Sequence, residues 1–316
     1  MLQILYENNL TGEIHGVTTL VTAAVWETKR AGAPASLTLS LRADGDVSWE
    51  LGGALSLGTA AGTLFYGYVM RISQNERDEV QVTAYDQTRY LKAKDSYVFE
   101  GRRADEITRE IAEDFGLRLG VLANTGYVIP VLIADGQCLL DILLGALQMT
   151  YESTGRLFFL WDDGGALRVT DTQETELDLI VGDGSLATGY TFESDIDTET
   201  YNQIKLVKEN RRIGARDVYL FEDRESMTRW GVLQSYEKVT EELNEAQMRV
   251  RGEALLGLYN RPSRSFALSA RADLSVRAGR RLFVNFALLG VDEYVLVEEA
   301  RHDLLAETMN LKVRVL

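Results

Sequence analysis

The chain has 316 residues, with 33 Lys and Arg against 48 Asp and Glu, and a net charge of −15. One core rarely serves so long a chain, so two domains or three small ones are expected. An apolar content of 46% excludes a disordered chain. The acidic total argues against binding to a phosphate backbone, since the basic pairs Arg211–Arg212 and Arg280–Arg281 are too small to offset it. Cys138 is the only cysteine, which excludes an internal disulfide framework and a multi-thiolate metal site. No apolar run reaches the ~18 residues of a membrane span. The first ten residues lack a basic start followed by an apolar block, so no signal peptide and no membrane insertion are expected.

The first hundred residues read as strands. Leu37, Leu39 and Leu41 alternate with polar residues, and Val80, Val82 and Ala84 repeat the pattern. Residues 62–72 are rich in aromatic and β-branched types. Turn material lies at 30–34, 43–46 and 74–78. Short strands so spaced suggest a small barrel or sandwich.

The pattern changes near residue 101. Ile107, Ile111 and Phe115 mark an amphipathic helix that Gly116 can close. A second, more apolar helix is expected over 138–149. Residues 156–161 and 166–170 flank an Asp/Gly turn, a hairpin signal. The middle segment 101–190 is the most acidic, with 6 cations and 15 anions.

Strand patterns return from about 188, at 190–193, 203–207, 217–222, 265–270, 281–286, 294–299 and 310–315. One helix interrupts them, with Thr240 as its expected N-cap, Glu241 and Glu242 in its first turn, and Asn260 and Pro262 ending it. The expected division is 1–100 as a first β-barrel, 101–187 as a helical α+β unit, and 188–316 as a second β-barrel containing one helix. The two β blocks share a coarse glycine–strand–turn–strand motif at 62–85 and 279–299, with residue identity too low to establish a repeat.

No catalytic constellation stands out. His15 and His302 have no second ligand at metal spacing. Cys138 and His302 could pair as nucleophile and base, but nothing local activates the thiol. The Gly182–Asp183–Gly184 stretch resembles a dinucleotide loop, yet a strand pattern follows it where a helix is required. The carboxylate pairs Asp44/Asp46 and Asp162/Asp163 read as turn residues, because Asp bonds nearby backbone. No catalytic residue, cofactor or metal is therefore expected.

Residues 82–99 resemble the end of the first barrel in baseplate hub proteins of contractile phage tails, in particular hubs of PBSX-type prophages within the broader late-control protein D type. Further features match in order: Trp26 and the strand after it, the Phe65–Val69 strand with Gly67 at its centre, the helix with Glu106, Ile107 and Ile111, the apolar helix, the 154–158 stretch leading to the Asp/Gly hairpin, and His302 followed by 307–311. Related hubs usually start the first helix with Thr, where this chain has Arg103. The resemblance implies a mainly β, α+β fold with two tail-tube-like antiparallel barrels around a helical unit. It implies a homotrimer whose six barrels join a hexameric tail tube or tube-initiator protein to a trimeric central spike. Baseplate wedge proteins and a tape-measure protein are further implied partners, and the virion tail is the implied location. An acidic lumen would let DNA slide without sticking.

Trp26 is expected to anchor the first barrel, with Phe65 in its Gly-centred strand. Tyr85, Asp86, Tyr90 and Leu91 are expected to fix the passage to the helical unit, with Asp86 as a cap, and His302 to belong to the closing strand pair. The alternatives are a carboxylate-dependent cell-wall hydrolase using Asp162 and Asp163, and a carbohydrate-binding module.

Overall fold

A computed structural model describes residues 2–42, 47–76, 79–210, 214–239 and 243–316. The acidic turn with Asp44 and Asp46, the Arg211–Arg212 pair, and Thr240 with Glu241 and Glu242 lie outside the described residues.

The N-terminal part is a meander of strands: β1 (Gln3–Glu7), β2 (Ile14–Gly16), β3 (Val21–Lys29), β4 (Ser36–Arg42), β5 (Ala54–Thr59), β6 (Gly62–Gln74) and β7 (Glu79–Tyr85). The period-two leucines of β4 all point inward and are at most 1% exposed. They meet Tyr6, Trp26, Leu55, Phe65 and Val82 in one core. Every strand of this half except β2 supplies residues to that core.

The middle unit pairs β8 (Lys94–Arg103) with β10 (Val128–Cys138), and adds β9 (Leu119–Leu122), β11 (Phe158–Asp162) and β12 (Leu167–Asp171) with helices α1 (Ala104–Asp114) and α2 (Leu139–Thr154). Ile107 and Ile111 are fully buried against α2. Arg103 occupies the N-cap of α1. An arginine cannot accept a hydrogen bond, so Glu106 alone caps, taking the Arg103 backbone N–H at 2.9 Å, while Asp105 holds the guanidinium at 3.1 Å. Helix α2 continues past the expected Met149 to Thr154. The Thr150 and Thr154 hydroxyls bond carbonyls one turn back, and Gly155 ends the helix at φ +70°.

The C-terminal part contains β13 (Glu176–Gly182), β14 (Ala187–Asp195), β15 (Gln203–Asn210), β16 (Ala215–Glu222), α3 (Arg224–Trp230), β17 (Gln234–Val239), α4 (Glu245–Tyr259), β18 (Ser263–Arg271), β19 (Arg281–Phe286), β20 (Val291–Asp303) and β21 (Thr308–Val315). Four expectations change here. β13 falls within 101–187, expected as the helical unit, but pairs with β19 of this part, and two helices, α3 and α4, stand where one was expected. The strands at 203–207 and 217–222 do not join the sheet expected as the second barrel. They form a separate three-stranded sheet, β16-β15-β17, which packs with α4 around its own small core. Helix α4 starts four residues after the Thr240–Glu241 junction, because Asn244 caps it and Gln247 completes a capping box, each at 2.9 Å. Residues 183–186 form a turn between β13 and β14, closed by the Ser185 hydroxyl, which accepts from the Gly182 N–H.

Removing that insertion exposes a tandem repeat. The order β3-β4-β7-β6-β5-β1 in the first half is matched by β14-β18-β21-β20-β19-β13 in the second. The ladders share two irregularities. A register shift follows Val69 in β6 and Val297 in β20, and another follows Val21 in β3 and Ala187 in β14. The corners match bond for bond. Gly52 N–H donates to the Val69 carbonyl at 2.8 Å, as Gly279 N–H does to Val297, and both glycines need positive φ, +84° and +89°. The repeat therefore aligns Gly279 with Gly52, ten residues before the Gly62 that the sequence motif suggested. The two halves differ in one sense: β1 meets β5 antiparallel, whereas β13 meets β19 parallel.

The two expected barrels are not separate sheets. β20 pairs with β3, so thirteen of the described strands form one continuous ladder with two distinct cores.

Candidate functional site

The most unusual chemistry of the chain lies where the two halves and the middle unit meet. β20 has 13 residues, enough to share one edge between two partners. Its first part, Val291 to Leu296, pairs with β19. Its last part, Glu299 to Asp303, pairs with β3. In that second ladder Trp26 stands directly opposite His302, and their rings stack at 5.2 Å between centroids. Trp26 is 1% exposed and His302 is 0% exposed. Burial pushes the His302 pKa down, so the ring is neutral, and its Nε2 donates to the Val276 carbonyl at 2.8 Å. Lys29 faces Glu299 at 3.7 Å and Arg30 grips Glu298 at 2.6 Å. Such partly exposed pairs contribute about 0–1 kcal/mol each and chiefly select register.

The segment between β18 and β19 threads the joint. Ala278 N–H donates to the Thr28 hydroxyl at 2.9 Å. Arg277, nearly buried, lies 4.1 Å over the Trp161 ring and donates to the Asp162 carbonyl at 3.0 Å. The Asp162 carboxylate accepts from Gly165 N–H at 2.7 Å and from the Gln87 amide at 2.8 Å. Gln87 also exchanges bonds with both backbone groups of Arg118. Asp86, at the end of β7, caps a short 3-10 turn (Gln87–Lys92) by accepting from the Thr88 N–H at 3.0 Å and from the Thr88 hydroxyl.

Two buried carboxylates thus line the same small cavity as one buried guanidinium, near enough to influence its charge but outside ion-pair distance of it. Burial and the Asp162 charge push the Asp86 pKa up to about 7, and Thr88 and Arg277 only partly oppose this. Burial raises Asp162 as well, against its hydrogen bonds from Gly165 and Gln87. Burial draws Arg277 down to about 10, so it stays charged at neutral pH.

A raised carboxylate pKa makes the folded state bind more protons than the unfolded one. Stability therefore falls as pH climbs from the ordinary value of 3.8 through about 7, and levels off above. Asp86→Asn keeps the side-chain oxygen that caps Thr88 and removes the titration. Its melting temperature relative to the unsubstituted chain is expected to rise between pH 5 and pH 8. An unchanged difference in thermal unfolding at the two values would contradict the assignment.

The cluster lines a cavity of about 30 Å³, far below the ~300 Å³ of the smallest usual ligand pockets. Asp163 is tied to Arg168 at 2.9 Å while Asp162 is buried in the joint, so the two do not face a shared substrate space. Among the described residues no cluster of three or more His, Cys, Asp or Glu is placed to hold a metal ion.

The residues singled out in the sequence fall in four places. Trp26, His302 and Asp86 belong to the joint. Phe65 is in the first core and Leu91 in the core of the middle unit, where the Leu91 carbonyl receives the Cys138 thiol at 3.4 Å. Tyr85 pairs through its backbone with Ser36 and Tyr68, and Tyr90 stands exposed with its ring edge-on to Tyr68 at 5.9 Å. Sequence reasoning missed Arg277, Gln87, Trp161 and Thr28. No local signal marks them, since their partners lie far along the chain.

The geometry of this cluster is that of a joint between the units of the chain. The pattern of the YQBQ-like family matches residues 24–314. The phage-like element PBSX protein XkdQ of Bacillus subtilis (strain 168) is 31% identical over 244 residues, covering 76% of this chain and 74% of that protein. The 43 kDa tail protein of prophage MuSo2 from Shewanella oneidensis has the same fold, with a TM-score of 0.70 at 14% identity over 99% of this chain and 98% of that one. A tail protein from Neisseria meningitidis MC58 gives a TM-score of 0.71 at 13% identity, over 99% and 96%. The chain belongs to the YQBQ-like family and has the fold of phage tail proteins.

Proposed function

We propose that this chain is the hub of a contractile-tail baseplate. Three copies surround an axis, and their six repeat units present near-sixfold symmetry to a tail tube or tube-initiator protein. The same ring presents threefold symmetry to a central spike, with wedge proteins outside and a tape-measure protein in the channel. The protein acts by fitting surfaces together and breaks no bonds.

One observation carries this reading. The chain holds two units of the same strand order, with matching bulges and matching corners, already joined edge to edge. Two similar units in one chain let three chains make six positions. Light scattering on the purified chain is expected to give the mass of three copies. A single-copy mass at every concentration reached would overturn the ring.

A further inference from the structure

The joint inside the chain uses one strand from each unit, β20 of the second and β3 of the first. By the repeat, their counterparts are β6 of the first unit and β14 of the second. Both counterparts have an open edge. β6 pairs with β5 only as far as Tyr68, and its partner on the other edge is β7. β14 ends the ladder, with β18 as its only partner among the described residues.

From this we infer that β6 of one copy pairs antiparallel with β14 of the next, in the register of the internal joint. The inference rests on the ring proposed above and names its contact. The shared bulges fix the alignment. Val69 corresponds to Val297, so Arg71 to Gln74 correspond to Glu299 to His302. Trp26 pairs with Leu37 and Phe192 with Phe266, and Leu37 and Phe266 occupy the same place, so Phe192 corresponds to Trp26 and Asp195 to Lys29. The internal pairs Glu299–Lys29, Arg301–Glu27 and His302–Trp26 therefore become Arg71–Asp195, Ser73–Glu193 and Gln74–Phe192 between copies.

Two independent features fit this register. The first is charge. Arg71 would face Asp195 with the signs of the Lys29–Glu299 pair reversed, and one oxygen of Asp195, Oδ1, takes all its local bonds from Asp197 and Thr198. The second is exposure. Ala300 and His302 are buried in the internal joint, as are Trp26 and Thr28. Their counterparts differ: Gln74 and Ser194 are exposed, and Ile72 and Phe192 are half-buried. An open strand edge of this kind is a template for pairing. The contact is heterologous, so it closes into a ring or runs on as a filament, and two units per chain suit closure at three copies.

The test is oxidative cross-linking of Ser73→Cys/Glu193→Cys in a Cys138→Ser background. Opposed strand residues lie about 4.5–5.5 Å apart, within disulfide reach. Both sites are exposed, so neither substitution disturbs a core. Cross-linked species up to three chains are expected, in yield roughly ten-fold above either single variant, because only facing pairs meet disulfide geometry. Ser73→Cys/Ser194→Cys is expected to stay uncross-linked, since a one-residue slip turns a side chain to the other face. A three-copy mass by light scattering without the cross-link would overturn the β6–β14 contact and leave the ring standing. A single-copy mass without the cross-link would overturn both.

Discussion

Replacing Arg277 with methionine is expected to remove about 3–5 kcal/mol of stability at neutral pH, the usual cost of orphaning buried charges by deleting their partner. Arg277 is the buried cation that shares a cavity with Asp86 and Asp162, acting on them through space; it bonds the Asp162 carbonyl and its guanidinium covers Trp161. Methionine keeps much of the side-chain volume, so the loss reports charge and hydrogen bonding more than packing. The cost has a pH signature. Without the cation both carboxyls are held in their neutral forms to higher pH, so the deficit grows between pH 5 and pH 8. Urea unfolding at the two pH values measures this. A deficit below about 1 kcal/mol, or one independent of pH, would mean that the arginine is not the counter-charge of the joint.

The second large effect is at Trp26. Trp26→Ala is expected to cost about 3–5 kcal/mol, because a fully buried indole leaves a cavity that a β-sheet cannot close. The loss falls on two structures at once, the first core and the stack with His302 across the joint. Trp26→Phe should cost less than about 1.5 kcal/mol, since it retains a ring and removes a buried indole N–H that has no acceptor. Equal losses for the two variants in denaturant unfolding would show that the ring does not bridge the halves.

Much of the fold was legible because its signals are local. The leucines of β4 and the Ile107–Ile111 face of α1 each repeat at the period of their element, so their inward faces could be read directly. The β15–β17 insertion was not legible. Its strands alternate much as barrel strands do, and nothing in Gln203–Asn210 states which sheet it will join. The repeat was half seen, because 62–85 carries an obvious glycine and strand pattern. The true match, Gly52 with Gly279, depends on backbone bonds to Val69 and Val297.

The joint was legible only in pieces. Asp86 reads as a cap, and Asp162 reads as a turn residue, since it accepts from Gly165 three residues on. That both are buried beside Arg277 follows from contacts across separate units, with Arg277 and Asp162 lying 115 residues apart. Trp26 and His302 both drew attention in the sequence, yet their pairing is fixed by the β20–β3 register.

Electron cryomicroscopy of the intact tail particle would reveal the ring itself. Three copies are expected at the junction of tube and spike, with six superposable sheet units around one axis and β6 of each copy against β14 of the next. A map placing the chain off that axis, or around it with edges unpaired and the two halves unrelated by a near-sixfold rotation, would contradict it.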